Sequence, residues 1–256
     1  MRGCTRGCRF CQAGMLYRPV RERSVDKLVE LAKESVKNTG YEEISLSSLS
    51  SSDYSCISEL AGRLTDELRD QRVSLSLPSL RVDKFVLTHT QKVKKSSLTF
   101  APEAGTQRLR DVINKNVTEA DLVNTLTNAF SNGWNAVKLY FMTGLPTETD
   151  EDLIGIAELA KTAAGAYYSV PKEKRVKGLR ITCSAAVFVP KPFTPFQWCR
   201  QDDPETVRRK QRLVREHFAP LKSAHFNYHD SGVSQIEACF ALGDRRLARV
   251  LHRAWQ

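Results

Sequence analysis

The stretch AVKLYFMTGLPTETDEDLIGIAELAKTA, residues 136–163, contains the pattern that decides the fold. It begins with the apolar run AVKLYF, and it ends with EDLIGIAELAKTA, whose apolar residues recur at helical spacing. Between the two, Gly144 and the proline after it predict a turn, and Thr147 or Thr149 is a candidate N-cap ahead of an acidic run. The stretch therefore predicts one β–α unit.

The same alternation recurs along most of the chain. Further strand-like runs lie at 43–49, 73–77, 96–101, 179–188 and 225–229. Further helix-like segments lie at 25–38, 57–70, 118–133, 204–218 and 234–254. Repeated β–α units form parallel sheets with crossover helices, so we expect an α/β fold. The pattern favours a partial, open β/α barrel of about six parallel strands, with its site at their carboxyl ends. An open doubly wound sheet is the alternative.

Three cysteines lie close together near the start of the chain, in RGCTRGCRFCQAG (2–14). Cys4, Cys8 and Cys11 have the spacing C-x3-C-x2-C. Structural zinc sites and electron-transfer iron–sulfur clusters normally have four protein ligands. A triplet without a fourth cysteine nearby leaves one coordination position for a small molecule. A zinc loop, or half of a redox-active C-x-x-C pair, is the alternative.

Composition limits the class of protein. The chain has 256 residues with 41% hydrophobic content, enough for one substantial core or two small ones. Its apolar runs are too short to span a bilayer, and no signal peptide precedes the cysteines. An odd total of seven cysteines, mostly scattered, argues against a disulfide framework. We therefore expect a cytoplasmic protein with reduced thiols and no membrane partner.

The net charge of +10 bears on possible partners. The basic residues gather around 18–23, 92–95, 208–215 and 245–253. Such an excess permits RNA or another polyanion as partner. No compact nucleic-acid motif accompanies it, so solvated helix faces are an equally simple interpretation.

The segment TFAPEAGTQRLRDVINKN (99–116) is a second β–α junction. Its strand ends in Pro-Glu-Ala-Gly and a helix is predicted from near Thr106, which places Glu103 at the carboxyl end of a strand. Arg108 and Arg110 are candidates for pairing with a carboxylate, because the guanidinium group suits bidentate contacts. An ordinary turn with a helix-starting acid is the alternative.

Together these motifs resemble the radical S-adenosylmethionine (SAM) superfamily. The resemblance rests on the cysteine triplet with Phe10 before its last member, on the PEAGT segment and on the GLPTET turn. It implies that Cys4, Cys8 and Cys11 hold three irons of a [4Fe–4S] cluster and that SAM chelates the fourth. It further implies that an electron from the cluster, supplied by a donor such as flavodoxin or ferredoxin, cleaves SAM to methionine and a 5′-deoxyadenosyl radical, which abstracts a substrate hydrogen.

The resemblance also implies where SAM binds. In the superfamily, the segment like PEAGT contributes to the SAM pocket, and backbone near the glycine of the GLPTET-like turn approaches the adenosine. We interpret the serine-rich stretch 45–55 as a βα loop near the cluster, and Arg81, just past a predicted strand, is a candidate for the SAM carboxylate. The predicted cofactor-binding residues are Phe10, Ser48, Ser50, Arg81, Glu103, Gly105, Arg108 and Gly144.

Motifs along the whole length resemble one branch of the superfamily, usually fused to an N-terminal cobalamin-binding domain. Cobalamin is thus expected only through a domain upstream of this sequence. Since only three residues precede Cys4, we expect the first barrel strand to be missing. We place the barrel core at 1–200 and a helix–strand–helix extension, ending without a capping signal as if truncated, at 201–256.

Two questions stay open from sequence. Methyl or methylthio transfer to RNA or protein competes with other hydrogen-abstraction reactions, and a catalytically inactive metal-binding module that docks RNA through its basic helices is the alternative function. The proline-rich run VFVPKPFTPFQW (187–198) predicts a rigid loop. Its Phe193, Phe196 and Trp198 are available for stacking, or they plug the barrel.

Overall fold

The structure is a computed structural model that describes residues 1–76 and 97–256. Its strands are β1 (Glu43–Ser45), β2 (Ser74–Ser76), β3 (Leu98–Glu103), β4 (Ala136–Thr143), β5 (Arg180–Val187) and β6 (Ala224–Tyr228). Its helices are α1 (Gln12–Leu16), α2 (Val25–Thr39), α3 (Ile57–Glu67), α4 (Gln107–Val112), α5 (Glu119–Ser131), α6 (Asp150–Ser169), α7 (Pro204–Phe218), α8 (Ser231–Leu242) and α9 (Leu247–Trp255).

The described strands form two parallel sheets. Strand β1 pairs with β2, and the larger sheet has the order β3-β4-β5-β6. The β4–β5 ladder runs without a shift from Ala136 opposite Arg180 to Thr143 opposite Val187. Within each sheet, strands that are neighbours in sequence are paired, as in a β/α barrel. The predicted open α/β barrel of about six parallel strands is confirmed, and the described strands do not close it.

Helices cover one face of the larger sheet. The strand residues Val137, Leu139 and Phe141 are buried in a core with apolar residues of α5, α6 and α7. The alternating residues Lys138 and Tyr140 are exposed on the opposite face. Within residues 1–76 and 97–256 this one-sided cover favours the open barrel over the doubly wound alternative, which needs helices on both faces. Full burial of such side chains contributes about 1.5–3 kcal/mol each, so this core is the main support of the sheet.

A smaller apolar cluster holds the two-stranded sheet. Val29 of α2 and Leu60 and Leu64 of α3 pack with Leu75 of β2. Helix α2 starts as the sequence predicts, because the Ser24 hydroxyl accepts a hydrogen bond from the Lys27 amide at 3.3 Å. Among the described helices, none combines the length and apolar character needed to cross a bilayer.

Two predicted elements differ in extent. The strand predicted at 43–49 ends at Ser45, because the serines beyond it bond locally: the Ser51 hydroxyl donates to the Leu46 carbonyl at 3.2 Å. The single helix predicted over 234–254 is two helices. Gly243 has an extended backbone (φ −82°, ψ −170°), and the carboxylate of Asp244 accepts a hydrogen bond from the Arg246 amide at 2.9 Å, a turn that competes with helix.

Candidate active site

The cysteine loop contains Cys4, Cys8 and Cys11, none of which forms a disulfide bond. Cys8 is buried, whereas Cys4 and Cys11 are partly exposed. Two backbone amides donate to sulfur: Gly14 N lies 3.4 Å from Cys11 Sγ, and Arg6 N lies 3.5 Å from Cys4 Sγ. In metal sites, hydrogen bonds of this kind orient the ligand sulfurs.

The backbone of this loop is anchored to distant parts of the chain. The Arg9 amide donates to the Ile113 carbonyl at 3.0 Å, beyond the end of α4. The Asn114 side chain donates to the Gly7 carbonyl at 2.9 Å. The Phe196 amide donates to the Arg9 carbonyl at 3.4 Å. The segment between the cysteines is therefore fixed by the loops that follow β3 and β5.

The serine-rich loop holds the cysteine loop from another side. The guanidinium of Arg6, between Cys4 and Cys8, contacts the Asp53 carboxylate with Nη2–Oδ1 at 2.8 Å and Nε–Oδ2 at 3.2 Å. Ser50 donates to Asp53 Oδ2 at 2.7 Å, and Ser48 accepts from the Ser50 amide at 3.2 Å. The Asp53 carboxylate is buried. The sequence pointed to the two serines but not to Asp53. An acidic residue within this serine-rich loop was the signal that could have identified it.

Glu103 and Phe10 are brought together by a lysine that the sequence did not suggest. Lys115 Nζ lies 3.0 Å from Glu103 Oε1 and 6.0 Å from the centre of the Phe10 ring. Glu103 has a positive φ of 70°, at a register shift that ends the β3 ladder. Positive φ is uncommon for a residue other than glycine, and it is frequent at functional sites.

The turn after β3 packs tightly onto helix α6. A Cβ atom at Gly105 would lie less than 3.0 Å from backbone atoms of Asp152 and Ile156, so only glycine fits there. The buried Arg110 donates to the carbonyls of Ala104 and Gly105, at 3.0 and 3.2 Å. Arg110 thus holds the turn through backbone oxygens, and its pairing with a carboxylate stays a prediction. Burial lowers the pKa of its guanidinium, although Glu119 and Asp111 oppose that effect.

Asp152 ties the two βα turns together. It forms an ion pair with Arg108, which also donates to the Thr147 carbonyl at 2.8 Å. It accepts hydrogen bonds from the Thr106 hydroxyl and from the Thr149 amide, the latter at 2.8 Å. Thr149 is thus the N-cap of α6, in a capping box with Asp152. The pairing expected for Arg108 is present, with an acid of the protein as the partner.

Gly144 lies in a turn stabilised by buried charges. Its φ is 83°, and its amide donates to Glu148 Oε1 at 2.8 Å. Lys210 Nζ lies 2.9 Å from the same oxygen and 2.7 Å from Asp202 Oδ2. Burial raises the pKa of the Glu148 carboxyl, and Lys210 and the turn amides offset only part of this effect. Lys210 was expected on a solvated basic face, yet its side chain is only 11% exposed.

The proline-rich loop divides its aromatic residues between two roles. Phe196 is buried beside Phe188, with ring centroids 6.1 Å apart, in an apolar cluster that Phe10 contacts. Phe193 and Trp198 are exposed, the latter at 89%. The plug interpretation holds for Phe196, and the other two remain available for stacking.

The profile of the Radical SAM superfamily matches residues 1–160. This chain belongs to the radical SAM superfamily. It is also similar to "Uncharacterized protein MJ0966" of Methanocaldococcus jannaschii, with 36% identity over 253 residues, 98% of this chain and 52% of the relative. The chain thus spans about half the length of that curated relative.

Solved structures of radical SAM proteins share the fold. Streptococcus suis SuiB bound to S-adenosylmethionine matches with a TM-score of 0.57 and 12% identity, over 90% of this chain and 50% of that one. Coproporphyrinogen III oxidase (HemN) from Escherichia coli, described as a radical SAM enzyme, matches with a TM-score of 0.57 and 15% identity, over 86% of this chain and 50% of that one. At these identities the likeness supports the open-barrel fold alone.

The superfamily uses a [4Fe–4S] cluster and SAM, and the donor set of this chain fits that cluster. Three cysteines without disulfide bonds lie in one loop, and amide N–H groups point at two of the sulfurs. No three His, Cys, Asp or Glu side chains of residues 1–76 and 97–256 converge on a single metal ion. A cluster does not require that convergence, because each thiolate binds a different iron.

Apart from Arg81, the predicted cofactor-binding residues lie in two parts of the structure. The structure links Phe10, Ser48, Ser50 and Glu103 to the cysteine loop or its anchors, and Gly105 and Arg108 to the start of α6. Arg81 lies outside the described residues. The contacts of these residues with SAM, like the 1–200 and 201–256 division, stay predictions.

Proposed function

We propose that this chain is the catalytic part of a radical SAM enzyme that cleaves SAM to methionine and a 5′-deoxyadenosyl radical. One observation carries the proposal: a loop with three cysteines, none of them in a disulfide, is anchored to the loops that follow β1 and β5 and to the segment after α4 in the β3–α5 connection. In a parallel barrel these loops lie at the carboxyl ends of the strands, where active sites are built.

The residues of the chain have distinct roles in this proposal. Cys4, Cys8 and Cys11 would hold the cluster, which supplies the electron for SAM cleavage when bound. The ion pair of Arg6 with Asp53 keeps the loop in place. The apolar cluster around Phe188 and Phe196 lies beside Phe10 and excludes water from that side of the loop.

The turns after β3 and β4 would bind SAM. Gly105 allows the first turn to pack closely on α6, and Gly144 gives the second turn its positive φ, so the two glycines fix the shapes of these turns. Glu103, held by Lys115, offers a carboxylate near the cysteine loop for the cationic part of the cofactor.

The inner face of the larger sheet is the proposed place of the substrate. The strand register puts Lys138, Thr182 and His225 side by side, with Tyr140 and Ser184 in the next row. These polar side chains face away from the helix-covered core. Together with the net charge of +10 they support a polar substrate such as RNA or protein, and we propose methyl or methylthio transfer as the reaction on it.

Delivery of the electron calls for a protein donor. Arg2 and Arg21 pair in an antiparallel bridge next to the cysteine loop, and the exposed Arg18 and Tyr17 lie in the same stretch. This basic surface supports an acidic carrier such as flavodoxin or ferredoxin. We also propose a cytoplasmic location, supported by seven cysteines that form no disulfide bond, and cobalamin only through a domain outside this sequence.

The test is anaerobic reconstitution with iron and sulfide, followed by dithionite reduction with SAM and chromatography of the products. We expect about four irons per chain and formation of 5′-deoxyadenosine. Cys8→Ala should abolish both, whereas Cys239→Ala, which removes an exposed cysteine, should leave both unchanged. One zinc per chain and no SAM cleavage would overturn the proposal in favour of a metal-binding module that docks RNA.

A further inference from the structure

Helix α7 reaches the Gly144 turn through a buried ion network. Lys210 Nζ contacts Glu148 Oε1 at 2.9 Å, and the same oxygen accepts the Gly144 amide at 2.8 Å. One carboxylate oxygen therefore joins the lysine to the backbone of the turn. The Glu148 side chain is 2% exposed, so this contact is shielded from solvent.

Asp202 holds the turn from the other side. Its Oδ2 lies 2.7 Å from Lys210 Nζ, and a Cβ atom built on Gly144 would lie 2.9 Å from that oxygen. The Glu148 carboxylate thus accepts a hydrogen bond from the Gly144 amide, and the Asp202 carboxylate lies on the side of Gly144 where a Cβ atom would be. The Lys210 ammonium group contacts both carboxylates.

The charge of Lys210 is maintained by these acids. Burial alone would lower the pKa of its ammonium, but Glu148 and Asp202 outweigh that effect and raise it. Without the lysine, the Glu148 carboxylate would be buried with only amide donors, and the turn would rearrange to hydrate or neutralise it.

We propose that Lys210, together with Glu148 and Asp202, positions the Gly144 turn for SAM, so that residues 201–256 complete the SAM site. Lys210 and Asp202 lie beyond residues 1–160, the part that the superfamily profile matches. The inference rests on the proposed function, in which the backbone at Gly144 approaches SAM.

A purely structural role would be to fasten α7 to the barrel, and the neighbouring residue offers a matched control. Arg209 forms a two-point ion pair with Asp150, at 3.0 Å for each contact, and so joins α7 to the start of α6. Both side chains are about half exposed, and the ion pair of Arg209 is with Asp150, whereas Glu148 and Asp202 act on Arg209 only through longer-range electrostatics. Arg209→Met therefore removes a fastening contact without disturbing the turn.

The experiment measures SAM affinity by anaerobic titration calorimetry, alongside iron content, for wild type, Lys210→Met, Lys210→Arg and Arg209→Met. We expect Lys210→Met to keep its iron and to bind SAM about tenfold more weakly. At saturating SAM its cleavage rate should stay within about twofold of wild type, since positioning affects binding rather than chemistry. Lys210→Arg should recover most of the affinity, and Arg209→Met should match wild type.

Equal SAM affinities for Lys210→Met and Arg209→Met would overturn the inference. Should Lys210→Met fail to fold, Asp202→Asn carries the test: it keeps the Lys210–Glu148 contact, and we expect about threefold weaker SAM binding. An unchanged affinity in that variant would again overturn the inference. Failure of wild type to bind SAM would overturn the proposed function and this inference with it, whereas wild-type binding unaffected by these variants overturns the inference alone.

Discussion

The cysteine loop and the turns of the larger sheet hold their parts of the site by different means. Glu103 and Gly144 lie at the ends of β3 and β4, whose ladders and covering helices form a continuous buried core. The cysteine loop follows an isolated bridge between Arg2 and Arg21, and it is fixed by side-chain and single backbone bonds to distant loops.

The cysteine loop is therefore the part of the site that is more easily disrupted. A turn at the end of a packed strand keeps its position when one hydrogen bond is lost, because the core still orients the strand. A loop held by a few polar contacts has no such reserve. Amino-acid substitutions in the cysteine loop and in the turns can test this difference.

Asp53→Asn should release the cysteine loop. It leaves Arg6, whose side chain is 22% exposed, facing a neutral amide, and loss of such a charged hydrogen bond costs about 1–3 kcal/mol. We expect most of the reconstituted iron to be lost while far-UV circular dichroism stays close to wild type. Asp26→Asn breaks an ion pair with Arg63 in which Asp26 is 85% exposed, and it should keep its iron. Equal iron in the two variants would show that the loop does not depend on Asp53.

Gly105→Ala should destabilise the larger sheet. The added methyl group would meet backbone atoms of α6, and overpacking of this kind costs about 1–3 kcal/mol. Urea denaturation gives the change in unfolding free energy. Gly165→Ala, in α6 with open space around its Cα, should instead stabilise by about 0.5–1 kcal/mol. A neutral Gly105→Ala would mean that the turn and α6 are less closely packed than described.

Asp152→Asn tests the link between the two turns through pH. Burial opposes ionisation of Asp152, but hydrogen bonds from Thr106, Thr149 and Arg108 outweigh it and hold the pKa of the carboxyl below its usual range. Because the folded-state pKa is lowered, the stabilisation is present above the unfolded-state value of about 3.9 and is lost as pH falls through the folded-state pKa.

The variant should therefore be about 2 kcal/mol less stable than wild type at pH 7. This difference should shrink as the pH falls below about 4. Urea midpoints at several pH values measure it. Glu158→Gln, on the exposed part of the same helix, should stay within about 0.5 kcal/mol throughout. A difference that does not vary with pH would contradict the role given to the Asp152 charge.

The sequence predicts most of the strands and helices because their signals are local. The apolar alternation in β4, the Thr118 capping box of α5 and the Thr149 cap of α6 all lie within a few residues of the structure they specify. The break at Gly243 had a local signal too, but the apolar spacing on both sides of it concealed the end of the helix.

The contacts that assemble the site were less accessible to sequence reasoning. Arg6 meets Asp53 across 47 positions, and Arg108 meets Asp152 across 44. No local pattern records which distant acid an arginine will reach, because that depends on how the strands are ordered in the sheet. Lys210 was predicted on a solvated face for the same reason. Its acidic partners, Glu148 and Asp202, lie outside α7, and no local pattern shows that they contact it.

The central claim is that three thiolates of a loop anchored to the barrel hold a cluster with one iron open to SAM. Electron paramagnetic resonance of the reduced, reconstituted protein, recorded with and without SAM, tests it most directly. We predict a [4Fe–4S]⁺ signal whose g-values shift on addition of SAM. A reduced cluster whose spectrum is the same with and without saturating SAM would contradict the claim.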